Sequence, residues 1–141
     1  MGDPDPLDRF VTAQASVIDE VRAELKAGRK TSHWMWFIFP QLRGLGQSAM
    51  SRHYGIADLA EARAYLAHPL LGPRLKDCTT LAISHVASTA YEIFGSPDDL
   101  KLRSSLTLFH LADPEEPLFR HALDQFYAGS LDNFTVSQTE N

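Results

Sequence analysis

Signals that start and stop helices punctuate the whole sequence, and they restrict the chain to short helices packed on one another. The strongest is Ser96-Pro97-Asp98-Asp99: a hydroxyl able to cap, a proline suited to the first helical position, and two acids on the positive end of a helix. The helix it opens is predicted to run to Leu111. Asp58 with Glu61 three residues on has capping-box spacing, for a helix through Tyr65. Pro69 or Pro73 opens the next, whose apolar positions Leu71, Leu75, Cys78, Leu81 and Ala82 keep a helical period. Ser88 is expected to cap a helix over 89–94 closed by Gly95. The last helix is expected to begin after Pro114, with Glu115 and Glu116 in its first turn, and to end at Gly129.

The N-terminal third reads the same way. Leu7, Phe10, Val11, Val17, Ile18, Val21 and Leu25 place one amphipathic helix over 7–26, stopped by Gly28. Gln14 falls inside its apolar stripe and needs a hydrogen-bond partner if buried. Residues 32–41 fit either a helical turn or a buried strand ended by Pro40, and the lack of a second strand to pair with favours the turn. Gly44 and Gly46 make a loop, and Ser48 starts a short helix that ends at Gly55. The expectation is an all-α fold: one compact domain of about seven short helices over residues 1–129, then a polar C-terminal tail over 130–141.

A chain of 141 residues, 44% hydrophobic and 22% charged, is long enough for one sizeable core. Its longest apolar run, Trp34 to Phe39, is far short of a membrane span. No cationic, apolar leader opens the sequence and Cys78 is alone, which points to a reducing cytoplasm. The net charge of −5 opposes broad binding to long nucleic acid. A local basic pocket remains compatible with it.

Such a pocket has a candidate location. From Leu25 to Ala57 the chain holds no acidic residue, yet it carries Lys26, Arg29, Lys30, Arg43 and Arg52 together with Trp34, Trp36, Phe37, Phe39 and Tyr54. This composition suits an anionic, partly flat ligand; a buried segment with a basic rim has the same composition. The two tryptophans, two residues apart, point to different faces, so at least one is expected in the core. His33, beside Arg29 and Lys30, is the residue suited to proton exchange near neutrality. Gly44-Leu-Gly-Gln-Ser-Ala49 matches a dinucleotide-binding turn only in letters, since Pro40 and Arg43 separate it from any preceding strand and no βαβ unit surrounds it. Its residual meaning is either a plain turn or a glycine loop that lets an anion approach the backbone near Ser48.

Further on, Asp98, Lys101 and Ser105 share one helical face, with Ser104 adjacent. That face is either solvated, or it offers Lys101 and the serines to a phosphate or carboxylate, with Asp98 or Asp99 as an acid–base group. The six histidines form no metal-ligand pair, Cys78 lies on the apolar period of its helix, and no nucleophile elbow or Walker loop is present. No metal or other cofactor is therefore indicated.

The combined motifs are similar to those of the bacterial domain-of-unknown-function family 1810. The resemblance rests on Gly28-Arg-Lys with His33-Trp-Met-Trp-Phe-Ile-Phe-Pro-Gln-Leu42, on Gly44-Leu-Gly with Ser48, on Pro69-Leu-Leu-Gly-Pro-Arg-Leu75 and on Asp98-Asp-Leu-Lys-Leu-Arg-Ser-Ser105. It implies an all-α fold and no established activity. The calpastatin label often given to members does not suit this chain, because such an inhibitor is long and disordered. Arg29, Lys30, His33, Trp34, Trp36, Gln41, Lys101 and Ser105 match the family pattern and, with Ser48, form the candidate ligand-binding set. The expectation is a site for a small anionic, ring-bearing ligand of nucleotide or ADP-ribose type, with hydrolysis as its chemistry if it has any. The alternative is a protein-interaction module without catalysis.

Overall fold

The computed structural model describes residues 5–140, which fold into ten helices: α1 (Asp8–Ala15), α2 (Ile18–Ala27), α3 (Met35–Ile38), α4 (Ala49–His53), α5 (Leu59–Ala67), α6 (Leu71–Ile83), α7 (Ala90–Phe94), α8 (Asp98–Ala112), α9 (Pro117–Tyr127) and α10 (Asn133–Thr139). The all-α class holds, with more and shorter elements than expected. The only extended pairing among the described residues is a single parallel bridge between Leu42 and Ile56.

Two elements account for most of the difference in number. The first is the N-terminal helix, which breaks at Ser16–Val17, where Val17 N–H bonds back to the Gln14 carbonyl. Serine and β-branched valine are poor interior helix residues, and Phe10, Val21 and Leu25 on either side of the break all reach the core. Gln14 is buried and partnered, donating to the Phe37 carbonyl (2.7 Å) and the Tyr65 hydroxyl (2.9 Å). The second is α10, where a polar tail was expected. Asp132 caps it through Thr135 N–H, Thr135 is fully buried, and Asp132 N–H donates to Thr107 Oγ1 of α8. Its low hydrophobicity hid it, because capping and one docked threonine hold it rather than a broad apolar face.

The caps also moved. Thr89, not Ser88, caps α7, since Glu92 completes a capping box only with Thr89. Ser96 does not cap α8: Pro97 takes the N-cap position, and the Gly95 and Pro97 carbonyls accept the first N–H groups. Asp58 and Ser48 cap α5 and α4 as expected. The turn reading of residues 32–41 holds as the four-residue α3.

Helix α8 is the central element. It packs against α5, α7, α9 and α10, and Leu102, Ser104, Ser105, Leu106, Thr107, Leu108 and Phe109 are all buried. Ser104 and Thr107 turn their hydroxyls back onto the carbonyls of Leu100 and Arg103, which lets neighbouring helices approach closely. Around it lies a ladder of aromatic rings, Phe10–Tyr65–Phe109–Phe119, with centroids 5.2–5.9 Å apart.

A cleft organised by a buried glutamate

The acid-free segment begins immediately after Glu24, and Glu24 organises it. Gly28 ends α2 in the left-handed conformation (φ 78°), where a side chain would be strained and would press on the His85 ring. The chain then folds back over the end of α2. Glu24 Oε1 accepts three hydrogen bonds there, from Thr31 N–H (2.7 Å), Ser32 N–H (2.9 Å) and the Trp34 indole (3.0 Å). Burial alone would push the Glu24 carboxyl up. The donors from Thr31, Ser32 and Trp34 outweigh burial and hold it down at about 2. Lys30 N–H bonds to the Ile93 carbonyl at 2.7 Å, fastening the segment to α7.

This fold-back decides the fate of each candidate residue. Trp34 is a core residue, 1% exposed, packed against Phe39 and Phe94. Lys30 lies over its ring at 5.0 Å and pairs with Asp98 at 2.8 Å; its side chain is only 7% exposed. Lys101 reaches the same Asp98 at 3.7 Å and covers the half-buried Trp36 ring at 5.4 Å. Lys30, His33, Trp36, Asp98 and Lys101 thus line one cleft of about 360 Å³, with Ser32 and Ser96 at its edges. The first turn of α8 forms one side of it, and the loop before α3 the other.

Besides the core residue Trp34, four candidates fall outside the cleft. Arg29 is exposed and lies away from its lining. Gln41 lines a separate, much smaller space of about 10 Å³ with Trp36, Gly46, Ser51 and Tyr54. Ser48 is occupied as the cap of α4, bonded to Ser51 N–H and Ser51 Oγ. Ser105 is fully buried in α8, and its hydroxyl has no partner. The helical spacing that placed Ser105 beside Lys101 was right, but α8 is covered along its length, so the shared face leaves solvent after the first turn.

Glu24 was not among the candidates, and Asp98 was one only as an acid–base group. Asp98 had a sufficient role as a helix-start acid, and the structure adds its place between two ammonium groups. Glu24 is visible in the sequence only as the last acid before the basic stretch. Among the described residues, no group of three or more His, Cys, Asp and Glu side chains could hold a metal ion, and no helix is long and apolar enough to cross a membrane.

A compact helical domain with a basic, tryptophan-floored cleft is the class that the fold and site define. The chain belongs to the family described as protein of unknown function (DUF1810), whose model matches residues 4–139. It is similar to the conserved hypothetical protein Rv1873 from Mycobacterium tuberculosis, known from a crystal structure at 1.38 Å. The two are 53% identical, the match covers 97% of this chain and 98% of the other, and the TM-score is 0.94. No curated protein matches the chain.

Proposed function

We propose that the cleft binds a small anionic ligand carrying a flat ring, of nucleotide or ADP-ribose type. The observation that carries this reading is the unequal placement of the two lysines on one carboxylate. Lys30 is pinned by Asp98, by the Ser32 carbonyl (2.6 Å) and by the Trp34 ring, so it is a fixed cation. Lys101, with 26% of its side chain exposed and a longer contact to Asp98, is the movable one. It lies over the Trp36 face that a flat ring would need. A ligand ring stacking there contributes on the order of 1–3 kcal/mol, by analogy with bases on aromatic platforms. The displaced ammonium then meets the ligand's anionic group beside Lys30. His33 and Asp98 are the cleft groups able to exchange a proton, and hydrolysis of a bound ligand would run through them.

The docking-module reading has no comparable support. The exposed large apolar residues Met50, Leu70, Val86, Tyr91, Leu100 and Phe134 each lie on a different segment, and no helix presents two of them.

A thermal-shift screen with AMP, ADP-ribose and phosphorylated metabolites tests the proposal, followed by tryptophan-fluorescence titration of any hit. Trp36 is the cleft tryptophan, so quenching is expected in the natural protein and not in W36F, and K101A should weaken affinity about tenfold. A micromolar binder at millimolar concentration should stabilise the fold by about 4 kcal/mol. The absence of any stabilising ligand in the screen would sink the reading.

A further inference from the structure

A second cleft, of about 440 Å³, lies away from the tryptophan cleft and shares no lining residue with it. It opens between the Leu42–Ile56 bridge, the start of α5 and the end of α10. Arg43 and Arg63 both line it. Arg9, Arg22, Arg103 and Arg120 each have a carboxylate within 4.0 Å, whereas Arg43 and Arg63, like Arg29, Arg52 and Arg74, have none among the described residues. Each gives one N–H to a backbone carbonyl, Arg43 to Gly55 (3.2 Å) and Arg63 to Ala112 (3.2 Å). The remaining guanidinium donors are left for another acceptor. Glu61, the neighbouring acid, is already paired with Arg9 at 3.1 Å.

The rest of the lining narrows the chemistry. Asp58 contributes a carboxylate whose Oδ1 is held by Glu61 N–H, leaving Oδ2 to accept from a hydroxyl, and Gln138 supplies an amide. Leu42 and Leu59 are aliphatic, and among the described residues no aromatic ring lines this cleft. Two guanidiniums suit a phosphate, and the acceptors beside them suit hydroxyl groups. A nucleobase would find no aromatic side chain to stack on. We infer that this cleft is a second binding site, for a phosphorylated polyol. It is independent of the tryptophan cleft and of the reading given to it.

The test is heteronuclear NMR of the nitrogen-labelled full chain, titrated separately with glycerol phosphate, inorganic phosphate and glycerol. Glycerol phosphate is expected to shift the Arg43 and Arg63 Nε–H signals and the Gln138 side-chain amide at millimolar concentration. Its affinity should exceed that of inorganic phosphate about tenfold, and R43Q and R63Q should each lower it about tenfold. D58N keeps the helix cap, since asparagine caps as well as aspartate. It also removes a negative charge beside the phosphate, so it should strengthen inorganic phosphate and narrow the preference for glycerol phosphate over it. K101A, in the other cleft, should change none of these values. Absence of shifts at Arg43 and Arg63, equal affinity for phosphate and glycerol phosphate, or binding that survives both arginine variants would each overturn the proposal. A failed nucleotide screen would leave it standing.

Discussion

Replacing Glu24 by glutamine removes the charge that holds the basic segment in place while keeping an acceptor of the same shape. The carboxyl sits at about 2 in the fold against an ordinary value of 4.5. A depressed carboxylate stabilises the fold fully above its unfolded value, and the contribution fades as pH falls through the folded one. The difference corresponds to about 3 kcal/mol at neutral pH and about 2 kcal/mol near pH 3.5. E24Q should therefore be about 3 kcal/mol less stable than the natural protein at pH 7, which at this chain length lowers Tm by about 10 °C. The penalty should narrow by about 1 kcal/mol near pH 3.5, because protonated Glu24 and glutamine offer Thr31, Ser32 and Trp34 a similar neutral acceptor. Urea titrations followed by circular dichroism at both pH values measure the two gaps. A penalty below about 1 kcal/mol at pH 7, or one that does not change with pH, would refute the claim that ionised Glu24 fastens this segment.

Other substitutions test separate parts of the structure. Ser105→Ala removes a buried hydroxyl without a partner, so stability should hold or rise by up to about 1 kcal/mol, and ligand affinity at the tryptophan cleft should not change. Gly72→Ala places a Cβ 2.1 Å from the Leu66 carbonyl oxygen, where α6 crosses the end of α5; a loss of about 3 kcal/mol is expected in chemical denaturation. Asp132→Ala removes the cap of α10 and its acceptor for Thr135 Oγ1; a cost of about 1–2 kcal/mol should appear, with faster amide exchange confined to α10. Burial pushes the Cys78 thiol up to about 12, so a thiol reagent at pH 8 should label it only at the rate of unfolding.

What the sequence disclosed and what it hid follow from the range of the interactions involved. Caps at Ser48 and Asp58, the stop at Gly28 and the apolar period of α6 depend on neighbours within a few residues, and all were legible. The docking of α10 and the burial of Ser105 depend on contacts across the fold, and they were not; the break between α1 and α2 has a local cause in Ser16 and Val17, which the apolar spacing running through it masked. The cleft shows both cases. Lys30, His33 and Trp36 come from one basic, aromatic stretch, while Lys101 joins them only because Asp98 holds both lysines across more than sixty positions.

The basic stretch carries no acid of its own because its counter-charges come from either side of it. Glu24 closes it on the N-terminal flank through Thr31, Ser32 and Trp34, and Asp98 meets Lys30 from the start of α8. An acidic residue within the fold-back itself would compete with these two for the same donors and ammonium groups. The arrangement also grades the lysines by exposure. The ammonium of Lys30 is satisfied inside the fold, so its removal should unsettle the segment, and that of Lys101 is only lightly held, so its removal should spare the fold. A cleft built this way keeps one cation as structure and offers the other to solvent beside a tryptophan face, and a charge run read along the sequence cannot make that distinction.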